Sequence, residues 1–185
     1  MTTSLKGHLL IAGPKLRDRN FFKTVLLVLE HTPEGAMGLV VNRPSSLSIS
    51  NALAGHLEIP DDGDPVFAGG PVEPADLFLL HDDARLDGLS VPVVDGMFVT
   101  TSEDAFEALL TDTDPPRAVR VLSGYAGWAA EQLDCEVAGG DWLSMPATAE
   151  TVFDMDPYEM WDELKDAVTR SHRILAQPSG NPEWN

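Results

Sequence analysis

Two apolar runs, Thr24 to Glu30 and Met37 to Asn42, flank the short segment Thr32-Pro33-Glu34-Gly35. The first run has the length and composition of a buried strand. The connecting residues have turn chemistry, so the two runs form an antiparallel hairpin. If His31 and Ala36 close the turn, Glu30 faces Met37, Val25 faces Asn42 and Thr24 faces Arg43. The five steps from Met37 to Asn42 span roughly 17 Å of strand. Glu30-His31 and Asn42-Arg43 therefore belong to opposite ends of the hairpin, and a bulge at Gly38 would shift the count by one without joining them. Adjacent strand residues point to opposite faces, which sets Glu30 and His31 apart as well.

Around this hairpin, Ser46 to Leu57 has helical spacing through Leu47, Ala52, Leu53 and Leu57. Short strands are expected at Val66–Ala68, Asp76–His81, about Met97–Thr100 and Arg117–Ser123, with another near Trp142–Met145. Asp61 to Pro65 and Asp112 to Pro116 read as loop and turn. Thr101-Ser102-Glu103-Asp104 fits a capping box with Thr101 as the cap and a helix to about Leu110. Gly127 to Asp134 reads as a short helix. Asp156-Pro157-Tyr158-Glu159 is the clearest helix start, with Asp as cap and Pro at the first position. That helix is expected to reach about Ala176, carrying Trp161, Leu164, Val168 and Leu175 on one face, and residues 176–185 read as a loose tail. Strands in hairpin-like groups broken by helices favour an α+β fold over a doubly wound sheet.

The 185 residues fit one domain. No apolar run is long enough to cross a bilayer, and the first residues lack a signal pattern, so a cytoplasmic setting is expected. Cys135 is the single cysteine, so no internal disulfide can form, and a buried, inert thiol is the expectation. The net charge of −18 disfavours nucleic acid and anionic membranes as partners. The charge is uneven. Residues 1–43 hold six bases and three acids; residues 44–185 hold six bases and 27 acids.

Several motifs occur in one order: Gly7-His8-Leu9-Leu10-Ile11-Ala12-Gly13-Pro14, Glu30-His31, Glu34-Gly35-Ala36-Met37-Gly38-Leu39-Val40-Val41-Asn42-Arg43-Pro44, Gly69-Gly70-Pro71-Val72 and Gly124-Tyr125-Ala126-Gly127-Trp128, then Gln132-Leu133 and Trp142. In these the chain resembles the YqgE/AlgH family of bacterial proteins of uncharacterised function. The resemblance implies an α+β fold whose bent, bifurcated mixed/antiparallel sheet closes into a pseudo-barrel, flanked by helices, with a long C-terminal helix. Some members carry the label of transcriptional regulator; no reaction comes with the resemblance. Members typically read Gly-Trp-Gly-x-Gly-Gln-Leu-Glu where this chain has Gly127-Trp128-Ala129-Ala130-Glu131-Gln132-Leu133-Asp134. Ala and Glu are better helix formers than Gly, so positions 129 and 131 are not expected to need positive φ.

The residues suggest chemistry at one end of the hairpin. Arg43 falls near Thr24 and Lys23, and close in sequence to the basic stretch Lys15, Arg17 and Arg19. A guanidinium there can take a carboxylate or phosphate bidentately; the plainer alternative is an internal ion pair, with Asn42 capping a turn. Gly69, Gly70 and Gly124 read as turns that wall such a site. Tyr125 and Trp128 share a face if the segment is helical, as core aromatics or as a ligand shelf. Ser123-Gly124-Tyr125-Ala126-Gly127 has the position of a nucleophile elbow but not its Gly-x-Ser-x-Gly pattern. His8, His31, His56, His81 and His172 are scattered without metal spacing, and His81-Asp82-Asp83 reads as a strand end in a solvated turn. No catalytic residue, cofactor or metal ligand is assigned. The expected function is a non-enzymatic protein binding a small anionic ligand or a protein partner through Asn42, Arg43, Lys23, Thr24, Gly69, Gly70, Gly124, Tyr125 and Trp128. An uncharacterised hydrolase using the Ser123–Trp128 turn and a transcriptional regulator are the alternatives.

Overall fold

A computed structural model describes residues 4–60, 63–86, 88–111 and 118–176, with side chains to residue 171. The first half holds β1 (His8–Ala12), a 3₁₀ turn (Arg19–Phe21), β2 (Val25–Thr32), β3 (Gly35–Val40), β4 (Pro44–Ser48), α1 (Ile49–Ala52), β5 (Pro65–Ala68) and β6 (Val72–His81). The second half holds β7 (Val91–Val94), β8 (Met97–Thr100), α2 (Glu103–Thr111), β9 (Val119–Ala129), α3 (Gln132–Gly139), β10 (Trp142–Pro146), α4 (Ala149–Asp154) and α5 (Met160–Ala176). The fold is α+β, and the sheet curls into a half-barrel. Its hydrogen-bonded order is β10-β1-β2-β3-β9-β6-β8-β7, with β4 and β5 branching off.

The branch lies on β9. One edge of this strand pairs in parallel with β5 at Leu122 and Ser123, then antiparallel with β3 from Ala126 to Ala129. The other edge carries β6. Residues 69–71 leave the sheet between β5 and β3, and they do so as bare backbone. The Gly69 N–H donates to the Ser123 carbonyl at 2.8 Å, and the Gly69 carbonyl accepts from Val40 N–H at 2.8 Å. A Cβ on Gly70 would sit 2.1 Å from the Tyr125 carbonyl carbon, and one on Gly69 would sit 2.4 Å from the Gly124 oxygen. Gly124 has φ +68°, and a Cβ there would meet the Gly70 oxygen at 2.5 Å. The glycines of the second and third motifs are thus one backbone-on-backbone crossing.

Both faces of the sheet are covered near the hairpin, as its unbroken apolar runs require. Leu9, Ile11, Val25, Leu27, Leu39 and Leu122 face inward against Val152 of α4 and Met160, Leu164 and Val168 of α5. Leu10, Leu26, Val28, Val40 and Trp128 form the opposite layer with Leu133 and Trp142. A third cluster joins Ile49, Leu53, Leu79, Val121, Phe106 and Leu109 under α1 and α2. Trp161 is partly buried beside its predicted neighbours Leu164 and Val168, whereas the Leu175 side chain lies outside the described residues.

Several sequence expectations change. The hairpin closes as expected, with Glu30 opposite Met37 and His31 opposite Ala36, but β2 bulges between Val28 and Glu30. Val28 then faces Gly38, and the Val41 N–H reaches Val25 O at 2.9 Å, so Val25 does not face Asn42. The register passes from Val28–Gly38 to Glu30–Met37 and skips Leu29, which places the extra residue on β2 rather than β3. The Ser46–Leu57 helix is instead β4 followed by one turn of α1, because Pro44 and Ser48 pair with Phe67 and Pro65 of β5. The Thr101 cap moves to Ser102, whose carbonyl accepts from Phe106 N–H at 3.0 Å. Residues 127–129 continue β9 by pairing with β3, and the helix begins only at Gln132. β1 and β7 had no sequence-based expectation. The Asp112–Pro116 turn, Asp61 and Asp62 of the first loop, Arg117 and the tail from 177 onward lie outside the described residues.

Glu131 has φ +61° and no side-chain cap bond, contrary to the expectation for that position. A non-glycine residue there costs about 1–2 kcal/mol, because its Cβ crowds a carbonyl oxygen. Glu131→Gly should therefore raise the stability by about 1 kcal/mol and the melting temperature by about 2–4 °C, read by thermal denaturation. Gly70→Ala should do the reverse. Its methyl meets peptide backbone that no rotamer change can clear, so a loss of about 4 kcal/mol or more is expected in urea unfolding.

Candidate functional site

Residues 40–43 tie four segments together where β3 ends. The Val41 carbonyl accepts from the Arg120 guanidinium of β9 at 2.7 Å. Asn42 continues the β2 ladder with its side chain, accepting from Val25 N–H at 2.8 Å and donating to Lys23 O at 3.1 Å. The Arg43 guanidinium donates to the carbonyls of Asn20 and Phe22, the latter at 2.8 Å. The Arg43 carbonyl accepts from Ala68 N–H of β5 at 2.8 Å. Pro44, by pushing Arg43 into extended backbone, sets this exit.

The segment that Arg43 grips is the basic loop between β1 and β2. Asp18 caps its 3₁₀ turn, accepting from Asn20 N–H at 2.8 Å. Phe21 packs edge-on against Trp142 with ring centres 5.6 Å apart. Thr24 is buried, and its hydroxyl donates to Phe21 O at 2.9 Å. Lys23 takes φ +53°, which turns its ammonium toward α5. There it lies 4.8 Å from the centre of the Trp161 ring and 3.4 Å from Asp162. Lys165 shares both partners, at 4.4 Å from the ring and 3.4 Å from the carboxylate. Trp161 is fixed by donating its indole N–H to Ala12 O at 2.9 Å.

These contacts set the electrostatics. Desolvation alone would raise the Asp162 carboxyl, but hydrogen bonds and attraction from Lys23 and Lys165 outweigh it and hold the group below its ordinary value. Burial pulls the Arg43 guanidinium below its ordinary value. Lys15 donates to Gly139 O at 3.3 Å. With Arg43 and Lys23 engaged inside the protein, Arg17 and Arg19 face solvent beside Phe22, which is 66% exposed.

The structure thus gathers Asn42, Arg43, Lys23 and Thr24 around one loop, and Gly69, Gly70, Gly124 and Tyr125 around the crossing. Trp128 stands apart. It and Tyr125 lie on a strand, so they point to opposite faces. Tyr125 meets Phe78, while Trp128 meets Trp142 on the other side. The indoles of Trp128 and Trp142 both donate to one Glu136 oxygen, at 2.8 and 2.9 Å. His31 lies at the far end of the hairpin. Its Nδ1 accepts from Leu5 N–H at 3.0 Å, which leaves the Nε2 proton facing Asp134 at 3.4 Å. Glu30 is exposed on the other face, as the strand alternation predicts. β6 ends at His81, as expected, but the turn is not solvated: His81 and Asp83 are buried, and His81 Nδ1 accepts from Asp83 N–H at 3.2 Å. Cys135 is exposed, not buried, because it falls on the outer side of α3. Among the described residues no histidine hydrogen-bonds to Ser123, Thr24 or Cys135, and Ser123 lies within a continuous strand rather than a sharp elbow. Among the described residues no group of three or more metal-ligating side chains converges.

Sequence reasoning missed Arg120, Glu136 and the Trp161 cluster. Trp161-Asp162 followed by Lys165 has helical neighbour spacing, a usable signal for the last. Arg120 meets a partner 79 residues away and left no local signal, whereas Glu136 bonds Gln132 at helical i,i+4 spacing before reaching the two indoles. Arg43→Ala should free the loop: amide exchange at residues 20–23 should quicken at least tenfold, with about 1–2 kcal/mol of stability lost. An arginine serving only a ligand would leave that exchange unchanged.

Residues 9–172 match the AlgH-like family. A UPF0301 protein of Stenotrophomonas maltophilia is 43% identical over 163 residues, 86% of each chain. One from Methylococcus capsulatus is 37% identical over 181 residues, 96% of each. The solution structure of the AlgH protein of Pseudomonas aeruginosa superposes with a TM-score of 0.74 at 33% identity, covering 98% of both chains. By sequence and by fold, the chain belongs to the AlgH-like family.

Proposed function

We propose that this chain is a non-catalytic binding protein of the cytoplasm with a regulatory role, docking an acidic segment of a partner protein on the β1–β2 loop. The observation that carries the reading is the Arg43 clamp. Two carbonyls of the loop, those of Asn20 and Phe22, are held by one guanidinium, and Arg17, Arg19 and Phe22 of the same loop are exposed. Preorganisation of this kind lowers the ordering cost of association. The loop also holds four of the chain's 12 bases between positions 15 and 23. A partner with carboxylates and one apolar side chain matches two arginines and an exposed ring.

A second copy of this chain fits less well. Its acidic surface would meet the loop head to tail, an arrangement that propagates instead of closing as a pair. Duplex DNA fits less well again, since the overall charge repels it. The expectation of a small anionic ligand keeps its chemistry here but is carried by an open surface.

Binding of Glu-rich peptides, each made with and without one Phe, tests the reading by calorimetry at low and physiological salt. The Phe-containing peptides should bind more tightly, and binding should weaken with salt. The double variant Arg17→Glu, Arg19→Glu should abolish it, and Phe22→Ser should weaken it about tenfold, a loss of about 1.4 kcal/mol. Undiminished binding to the charge-reversed variant would remove the loop from the function.

A further inference from the structure

A second surface differs from the loop in every chemical respect. Opposite Gly124, β6 leaves its ladder. Val72 faces Tyr125 and Leu77 faces Ser123, so residues 73–76 bulge out against one residue of β9. Glu73, at φ +45°, absorbs the turn. Bulges of this kind re-aim side chains and recur beside binding sites. Here the bulge forms one wall of a cleft of about 580 Å³, with α1 and the residues after it on one side and the start of α2 on the other.

The floor is apolar: Leu53, Leu77 and Phe106 all belong to the cluster beneath α1 and α2. The rim holds His56, Asp76 and Glu103, all exposed. Neither lysine nor arginine lines the cleft among the described residues. The Asp76 and Glu103 carboxylates make no ion pair and no side-chain hydrogen bond among the described residues, in contrast to Asp162, which two lysines occupy. The volume lies within the range of small-molecule sites, which pair apolar walls with a few polar groups.

We propose that this cleft binds a small amphipathic cation, an apolar body carrying an ammonium or amidinium group. The apolar part covers Leu53, Leu77 and Phe106, and the charged end meets Asp76 and Glu103. Two unpaired carboxylates, a lining without lysine or arginine among the described residues and a net charge of −18 all act in the same direction. An anionic ligand would meet like charge at the rim. A docking protein segment would have to place a lysine or arginine beside an apolar anchor, and the small cation satisfies both demands in one molecule.

The test uses 3-phenylpropylamine as probe and 3-phenylpropionate as its charge-reversed control, followed by NMR of the isotopically labelled full chain. The amine should shift the methyl signals of Leu53 and the amide of Phe106, and bind at least tenfold more tightly than the acid. Asp76→Asn combined with Glu103→Gln should weaken the amine at least fivefold. Leu53→Trp, which fills the floor, should abolish its binding while the remaining spectrum stays dispersed. Equal binding of the acid, an unchanged affinity in the Asn/Gln variant, or no shift at Leu53 and Phe106 would each overturn the proposal. The loop variants should leave amine binding unchanged, so this site stands or falls separately from the docking surface.

Discussion

Everything distinctive in this fold depends on one backbone passing within contact distance of another. β9 changes neighbour on one edge, from β5 to β3, and the chain leaving β5 has to exit through the gap. At Gly70 the space available to a Cβ is 2.1 Å from a peptide carbon, which no other residue type can accept. The same crossing puts Gly124 at positive φ, and β6 detaches there to form its bulge. The branch, the curl of the sheet and the cleft are therefore one geometric event seen from three sides.

A second dependency starts from residues 40–43. Consecutive residues at the end of β3 link β9, β2, the basic loop and β5, using one side-chain amide, two guanidinium groups and backbone groups. The Arg120 link is costly. The residue is 7% exposed, no carboxylate pairs with it among the described residues, and burial pulls its guanidinium down to about 10. Stacking of that guanidinium over Phe67, at 4.3 Å from the ring centre, and the bond to Val41 O offset part of the penalty. A charge held under those terms fixes where β5, β3 and β9 meet. Uniqueness of the branch, rather than stability, is the more natural return for it.

The sequence was most legible where local chemistry decides structure. The turn end of the hairpin and β8 are set by nearby residues, and they came out as read; Asp156 accepts from Tyr158 N–H at 2.8 Å as a cap would, but residues 157–159 form a turn and α5 begins only at Met160, past the expected first position Pro157. It was least legible where pairing partners lie far along the chain. Residues 127–129 have helix-forming neighbours, yet β3 recruits them into β9, and this reverses the relation of Tyr125 to Trp128. β4 is a strand only because β5 lies beside it. The β2 bulge leaves Leu29 unpaired across from Met37 and Gly38, a register no local residue signals. At the candidate site, the nearness of Lys23, Thr24 and Arg43 could be read from the hairpin, although the β2 bulge shifts its count by one and moves Thr24 off Arg43. The target of the guanidinium could not, since two backbone carbonyls of a loop have no side-chain signature.

The charge asymmetry acquires a physical role once the two surfaces are placed. At physiological salt a charge is felt over about 8 Å, so the −18 of the whole chain does not erase the local field of Arg17 and Arg19. What the distant acids do is weight the approach: cations are drawn to most of the molecule, anions only to the loop. Asp162, which meets the loop through Lys23, is engaged by both Lys23 and Lys165, and Asp18, within the loop itself between the two arginines, caps the 3₁₀ turn by accepting from Asn20 N–H. The cleft has the complementary arrangement, with its two carboxylates left unpaired. One chain thereby presents two surfaces of opposite sign, and neither competes for the other's ligand. Arg43, by pinning the loop to the end of β3, and Gly124, by releasing the β6 bulge, are the residues that hold them in place.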